Sequence, residues 1–269
     1  MKTASESRLQ RAIEKSIELD YVSIAFAGET VLRSICFSLE KGESLAVIGP
    51  SGHGKSTLLK AIAGLLTPTS GRVLINGREL CKLKLPERAH ASRRIGMLFQ
   101  KNALFDSLTV EENIAFPLRE TTSLAESEIG KIVEQFLEAV GIADARALYP
   151  DEISGGMQKR LGIARSLALS PETALYDDPT AGLDPISSRK IAQLIGDLRK
   201  RNGTTVVAVV NDMNRAYQIG DRVAMLIDGE LLMLGDRTAA EANQDPRVHQ
   251  FIRGALEGPL LHAPAPVLA

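Results

Sequence analysis

Cysteine is scarce in this 269-residue sequence: Cys36 and Cys81 stand far apart and fit no metal-ligand spacing. They read as reduced thiols, small core or surface residues, of a cytosolic protein. An excess of one charge sign is lacking as well. With 32 Lys plus Arg against 33 Asp plus Glu, no strong net field draws the chain toward nucleic acid or anionic lipid. No apolar run approaches the ~18 residues of a membrane span, and residues 205–210 are typical of the longest. The opening MKTASESRLQRAIEKS carries charges with no apolar stretch behind them, so neither a secretory signal nor an anchor is expected there. What remains is 44% hydrophobic residues, enough for a packed core, in a length that suggests one or two domains.

The apolar pattern sets the organisation. Residues 18–48 read as strands: Ile35, Phe37 and Leu39 alternate, and residues 44–48 form a short apolar run ending at Gly49. Beyond it Leu58, Leu59, Ile62, Leu65 and Leu66 fall on one helical face. Residues 73–75, then 95–99, add strands around a polar stretch. From about 101 to 170 the period turns helical, most clearly in Ile129, Ile132, Val133, Phe136, Leu137 and Val140. Residues 173–176 and 204–210 are buried-type strands flanking a helix that Asp184 caps and Pro185 opens. Alternating strands and helices imply a largely parallel sheet covered on both faces. Residues 221–234, with Asp228-Gly229 between two apolar runs, read as a hairpin. The Pro- and Ala-rich stretch after Gly258 reads as an extended or flexible tail.

The chemistry concentrates after the strand at 44–48. Gly49, Pro50, Ser51, Gly52, His53, Gly54, Lys55, Ser56 and Thr57 match the P-loop pattern at every fixed position. Glycines let consecutive backbone N–H groups point into one concavity, and the following helix adds its positive end, so a polyphosphate meets donors already in place. Lys55 would reach the β- and γ-phosphates, and the Ser56 hydroxyl would take a place on Mg²⁺. His53 occupies a variable position of the loop. A P-loop alone leaves many NTPase classes open, from small GTPases to helicases.

Ile153-Ser154-Gly155-Gly156-Met157-Gln158 narrows them. An SGG at the head of a helix, about a hundred residues after a P-loop and shortly before an apolar strand ending in acid, resembles the signature of the ABC ATPases. Ser154 can cap that helix, and Gly155 and Gly156 leave backbone donors exposed to an anion. The resemblance implies an α/β P-loop NTPase of ABC type. It would have a mostly parallel core, an N-terminal antiparallel β subdomain and an α-helical subdomain. Residues 17–245 would be the ATPase domain, with the helical part at about 101–170, an N-terminal segment at 1–16 and a C-terminal extension at 246–269. In the family the SGG anion is the γ-phosphate bound by the other subunit of a homodimer. Gln100, ending the strand GMLFQ, corresponds to the glutamine that touches Mg²⁺, and Asp177, ending TALYD, to the Mg²⁺-holding carboxylate. Phe26 sits where the family stacks an aromatic ring on the adenine of ATP, and a core phenylalanine fits that position equally well. Ala181-Gly182-Leu183-Asp184 is similar to the loop that crosses the dimer seam.

Two positions depart from the pattern. Where the family has a glutamate that orients or deprotonates the attacking water, the chain has Asp178, one methylene shorter. Where it has a switch histidine, the chain reads Val210-Asn211-Asp212, and Asn211 can donate an amide hydrogen but carries no positive charge. A slow but real ATPase is expected from that pair, with a regulatory ATP clamp as the alternative.

Residues 103–110, ALFDSLTV, with Glu112, Asn113, Phe116, Pro117 and Leu118, resemble the ATPases of Mce-type lipid transporters such as the Mla system. Met157 and the late segments at 251–254 and 258–259 resemble that group too. The resemblance implies an integral membrane permease as partner, an Mce-type lipid-binding protein and a small regulatory subunit besides it, and a place on the cytoplasmic face of the inner membrane. A small-solute importer is the rival within the family. Locally, ALFDSLTV reads as a loop and helix start with Asp106 or Ser107 capping.

Overall fold

The structure, a computed structural model, describes residues 14–261. Residues 1–13, most of the expected N-terminal segment, and residues 262–269, most of the expected tail, lie outside the described residues.

Two long strands come first, β1 (Lys15–Phe26) and β2 (Glu29–Glu40), paired antiparallel. With β4 (Ser70–Ile75) on the other side of β1 they make a three-stranded sheet. Alternate residues such as Ile17, Leu19, Leu32, Phe37 and Leu39 turn inward, as the period of two requires. Between β2 and β4 the chain passes through β3 (Ser44–Ile48) and α1 (Lys55–Ile62). β3 is buried at every residue. Later come α2 (Leu85–Ser92), β5 (Ile95–Leu98), α3 (Val110–Thr121), α4 (Glu126–Val140) and α5 (Gly155–Leu167). The chain continues through β6 (Thr173–Asp177), α6 (Pro185–Asn202), β7 (Thr205–Val209), α7 (Met213–Ile219), β8 (Arg222–Ile227) and β9 (Glu230–Gly235). Helices α8 (Arg237–Glu241) and α9 (Pro246–Arg253) follow.

The second sheet has the order β5-β6-β7-β3-β8-β9, parallel except for the β8–β9 hairpin turned at Asp228-Gly229. β3, β6 and β7 lie inside it with helices or the other sheet on both faces, which is why each is an unbroken apolar run. One apolar cluster fills the space between the two sheets around α1, with Leu45, Leu58, Leu59 and Ile62 at its centre. Another lies under α5, α6 and α7, with Ile163, Tyr176 and Ile195 fully buried. A third joins α3, α4 and α5 through Ile114, Leu137 and Leu161. The α/β architecture with its antiparallel β unit follows the expectation.

Local details differ. The strand before Gln100 ends at Leu98, because Phe99 accepts a turn bond from the Asn102 N–H at 2.8 Å. Helix α2 lies in the stretch read only as polar: Ala91 is its one buried residue, so it has no apolar face to announce it. Neither Asp106 nor Ser107 caps α3; Thr109 does, in a capping box with Glu112. The backbone donors of the first helical turn lie next to Thr109, three residues beyond Asp106. After Gly258 the chain forms a 3-10 turn, Pro259–Leu261, tied by the Leu260 N–H to Gln250 Oε1 at 2.8 Å.

Candidate active site

The parallel strands β3, β5, β6 and β7 end on one side of the sheet, and the chemically marked residues follow those ends. From β3 the chain passes through residues 49–54 into α1. Gly49 has φ 138°, and a Cβ there would stand 2.1 Å from the Leu226 carbonyl oxygen. Gly54 has φ 93°, with Val31 Cγ1 2.9 Å from where its Cβ would be. Both positions require glycine for the loop to pass under its neighbours. Lys55 folds back and donates from Nζ to the carbonyls of Gly49 and Pro50, each at 2.8 Å. Burial lowers the Lys55 pKa from its ordinary value, while Asp178 and Asp177 act in the opposite direction.

Ser51, Gly52, Gly54, Lys55, Ser56 and Thr57 line a cleft of about 380 Å³, together with Gln100, Asp177, Asp178 and Asn211. Its far wall is Phe26 from β1 with Glu29 and Val31 from β2. Phe26 is 47% exposed, which excludes the core placement that the sequence left open. His53 does not line the cleft: its Nδ1 accepts the Asp228 N–H at 3.0 Å, clasping the β8–β9 turn. Burial lowers the His53 pKa from its ordinary value, opposed by the nearby Asp228 carboxylate, so the ring is neutral at neutral pH.

At the end of β6, Asp177 Oδ1 accepts the Ser56 hydroxyl at 3.1 Å. The Ser56 hydroxyl and Asp177 carboxylate in contact, with Gln100 lining the same cleft, make an oxygen donor set that suits a hard cation such as Mg²⁺. The next residue, Asp178, takes a left-handed φ of 49°. Its N–H donates to Val209 O at 3.0 Å, and Oδ2 accepts the Asn211 amide at 2.5 Å. Burial raises the Asp178 pKa above its ordinary value; the Lys159 charge pulls it down and the Asp177 charge pushes it further up. A carboxyl so placed can accept a proton with its orientation already set.

Ser154, Gly155 and Gly156 are not brought into this cleft. Ser154 caps α5, its Oγ accepting the Met157 N–H at 3.3 Å. A Cβ at Gly155 would meet nothing within 4 Å, so the first-turn donors stand open to the outside. Asp184 caps α6 by accepting the N–H groups of Ile186 and Ser187 at 2.9 and 3.0 Å.

Sequence reasoning missed three residues that line the cleft, Glu29, Val31 and Val209, and also Lys159, whose Nζ reaches the carbonyls of Gln100 and Asp178. The three lining residues carry no motif. Lys159 is 5% exposed, and its spacing of four from Ile163 on α5 was the one available signal that it faces inward.

The family model described as ABC transporter matches residues 32–181. The chain is 38% identical over 244 residues to the intermembrane phospholipid transport system ATP-binding protein MlaF of Haemophilus influenzae, covering 91% of this chain and 92% of that protein. It is also 38% identical to the "Probable ribonucleotide transport ATP-binding protein mkl" of Mycobacterium tuberculosis, across 91% of this chain and 68% of the relative. Among solved structures, the dimeric post-hydrolysis state of the ATP-binding cassette MJ0796 bound to ADP and Pi matches with a TM-score of 0.74 at 34% identity, over 80% of this chain and 96% of that one. With the P-loop, the acid-terminated strand and the capped SGG helix in one fold, the chain belongs to the ABC transporter family and is one of its ATP-hydrolysing, ATP-binding subunits.

Proposed function

We propose that two copies of the chain close head-to-tail on two ATP molecules and so drive a membrane permease that moves phospholipid or a similar lipid. The observation that carries the ATPase half is the convergence of Lys55, Ser56, Asp177, Asp178 and Asn211 on one cleft. In this reading the loop from Gly49 to Thr57 and Lys55 hold the β- and γ-phosphates, and Phe26 stacks on adenine. The Asp178 carboxylate takes a proton from the water that attacks the γ-phosphorus, as the bond from that phosphorus to the ADP oxygen breaks. Asn211 gives one amide hydrogen to Asp178 and keeps the other for a phosphate oxygen. Ser56, Gln100 and Asp177 would hold Mg²⁺, which when bound supplies positive charge against the phosphate oxygens. The open end of α5 at Ser154, Gly155 and Gly156 serves the nucleotide of the opposite subunit. Residues 17–245 make up the ATPase domain, the helical part at about 101–170 included, and 246–269 its extension.

The transport half rests on a second groove, about 240 Å³, between β5, α3 and α5. Phe105 and Phe116 meet there with ring centroids 4.6 Å apart, both rings partly open to solvent. Asn113, fully buried, holds the loop behind them: its Oδ1 accepts the Phe105 N–H at 3.0 Å, and its Nδ2 donates to the carbonyls of Phe105, Leu108 and Thr109. This groove, aromatic at Phe105 and Phe116 and basic at Arg93 and Arg165, lies along β5, the strand that leads to Gln100, and is where a permease helix would sense the state of the cleft. No described helix is long and apolar enough to cross a membrane, so the membrane-spanning part of the system is assigned to that partner, with this chain at the cytoplasmic face of the inner membrane. Lipid as cargo is supported by the MlaF relative, the ATP-binding protein of an intermembrane phospholipid transport system. The resemblance of residues 103–110 to Mce-type systems adds an Mce-type lipid-binding protein and a small regulatory subunit to the proposed partners. The name of mkl favours a second reading, a nucleotide-like solute.

The test is purification of the full chain with its partners from membranes, followed by lipid analysis and phosphate-release assays. Co-purified phospholipid and Lys55-dependent phosphate release are expected. A solute-type permease without lipid would overturn the transport reading, and no Lys55-dependent release would leave an ATP-gated clamp.

A further inference from the structure

Lys159 is a buried cation that none of the expected site roles uses. It lies in the second turn of α5, five residues from Ser154 and so ~7.5 Å along the helix axis from its open end. Its Nζ donates to the backbone carbonyl of Gln100 at 2.9 Å and to the backbone carbonyl of Asp178 at 3.4 Å. Among the described residues no carboxylate lies within ion-pair distance of it. Burying an ammonium without a paired carboxylate opposes folding, and an apolar side chain would fill the same space without that cost. The two carbonyls it holds belong to the segments that follow adjacent strands, β5 and β6, and these segments carry the glutamine and the carboxylate of the cleft.

We infer that Lys159 is a positioning residue: it ties the signature helix α5 to Gln100 and Asp178 of its own subunit, so that a nucleotide engaging the helix end from the opposite site sets the catalytic carboxylate of this one. The inference rests on the paired-site reading given above. Asp178 is then held by four bonds: its N–H donates to Val209, its side chain accepts from Asn211, and its carbonyl accepts both the Ala181 N–H at 3.2 Å and Lys159 Nζ at 3.4 Å. Of these, the Lys159 bond is the one that comes from the signature helix, and the same ammonium also holds the Gln100 carbonyl. A shift of α5 moves the Gln100 and Asp178 peptides together, and the two ATP sites become coupled through a single ammonium.

The experiment is steady-state ATP hydrolysis by the full chain in its membrane complex, comparing wild type with K159M and K159R. K159M removes the donors at similar length, and its kcat is expected to fall about tenfold to a hundredfold with KM unchanged, as for a carboxylate misplaced by ~1 Å. Its Hill coefficient for ATP is expected to drop to 1. K159R, which keeps a cation with several donors, is expected to recover both within a few-fold. Wild-type kcat and Hill coefficient in K159M would overturn the inference. So would a K159M loss that appears only with weakened ATP binding and a lowered melting temperature and that K159R fails to rescue. If K159M does not fold, K159Q takes its place, since its amide is too short to bridge both carbonyls, and the same outcomes decide. A wild-type Hill coefficient of 1 would overturn the paired-site reading and this inference together, whereas a cooperative wild type with an unaltered variant sinks the inference alone.

Discussion

Substituting Asp178→Asn separates proton transfer from geometry. The amide is isosteric with the carboxyl, the Asn211 amide can still donate to its oxygen, and the bonds at the backbone N–H and carbonyl are untouched. Position is therefore conserved and the proton acceptor is lost. General-base catalysis contributes about 10²- to 10⁴-fold, so kcat should fall by that factor, about 3–5 kcal/mol in the barrier, with ATP affinity unchanged. Stability should move the other way. Burial raises the Asp178 pKa above its ordinary 3.8, chiefly against the pull of Lys159, so the folded protein binds this proton more tightly than the unfolded chain. The charged carboxyl therefore opposes folding at neutral pH, and a neutral amide removes that opposition. The melting temperature of D178N should exceed that of wild type at pH 7. The gap should close as the pH falls through the raised folded value toward 3.8, where wild type gains its proton on folding. Phosphate release and a pH series of melting curves measure both effects. Undiminished turnover in D178N would refute Asp178 as the base, and a lower melting temperature at pH 7 would refute the burial argument.

Other consequences follow from the same packing. A Cβ on Gly96 of β5 would stand 2.1 Å from the Ser166 carbonyl oxygen of α5, so G96A should lose about 1–3 kcal/mol in urea unfolding, with a normal slope. The His53 ring is held neutral in the folded state, its pKa lowered by burial. Its contribution is thus complete above the ordinary 6.5 and is lost as the pH falls through the lowered folded value; H53Q, whose amide oxygen can still accept the Asp228 N–H, should flatten that part of a stability–pH curve. N113A removes four hydrogen bonds behind the aromatic groove and should destabilise by about 1–3 kcal/mol. It should also weaken recovery of the membrane partner more than it weakens ATP binding, which co-purification and nucleotide titration would measure.

How much of this was legible follows from where the information sits. The strands at 44–48, 173–177 and 205–209 are buried on both faces, so their runs of Leu, Val, Ile and Ala stand out in one dimension. The P-loop is legible because its glycines answer local backbone demands, as the close approach of Leu226 to Gly49 makes plain. Helix α2 was hidden because it buries one alanine, although Pro86 in its first turn was a signal. Helix α9 carried its own caps, Asp245 with Pro246 at the start and Gly254 at the end, and an apolar face of Val248, Phe251 and Ile252, but its eight residues show that period only once, and it went unread. Phe26 could not be assigned to cleft or core, since which side of a strand end faces the P-loop depends on the packing of two sheets. Lys159 was hidden for a chemical reason. A lysine on a helix is by default a solvated surface residue, and only the two carbonyls brought to it by β5 and β6 make it otherwise.

The departures at Asp178 and Asn211 take on a different weight once their surroundings are known. A non-glycine residue in the left-handed region costs about 1–2 kcal/mol, and Asp178 is held there at φ 49° by bonds from a neighbouring strand, a helix and the Asn211 side chain. A carboxylate under that much constraint is not a loose substitute for a longer one. Its limitation is reach: the missing methylene would have carried the oxygens ~1.5 Å further toward the phosphates. Nor is Asn211 idle, since at 2.5 Å from Asp178 Oδ2 it fixes the side chain whose backbone the other bonds hold, while remaining neutral. Shorter acid and neutral donor thus fit each other. A slow turnover, where it occurs, is then a property of a rigid and short catalytic pair, and on the proposed reading it is separable from nucleotide binding, which is assigned to the loop and Lys55.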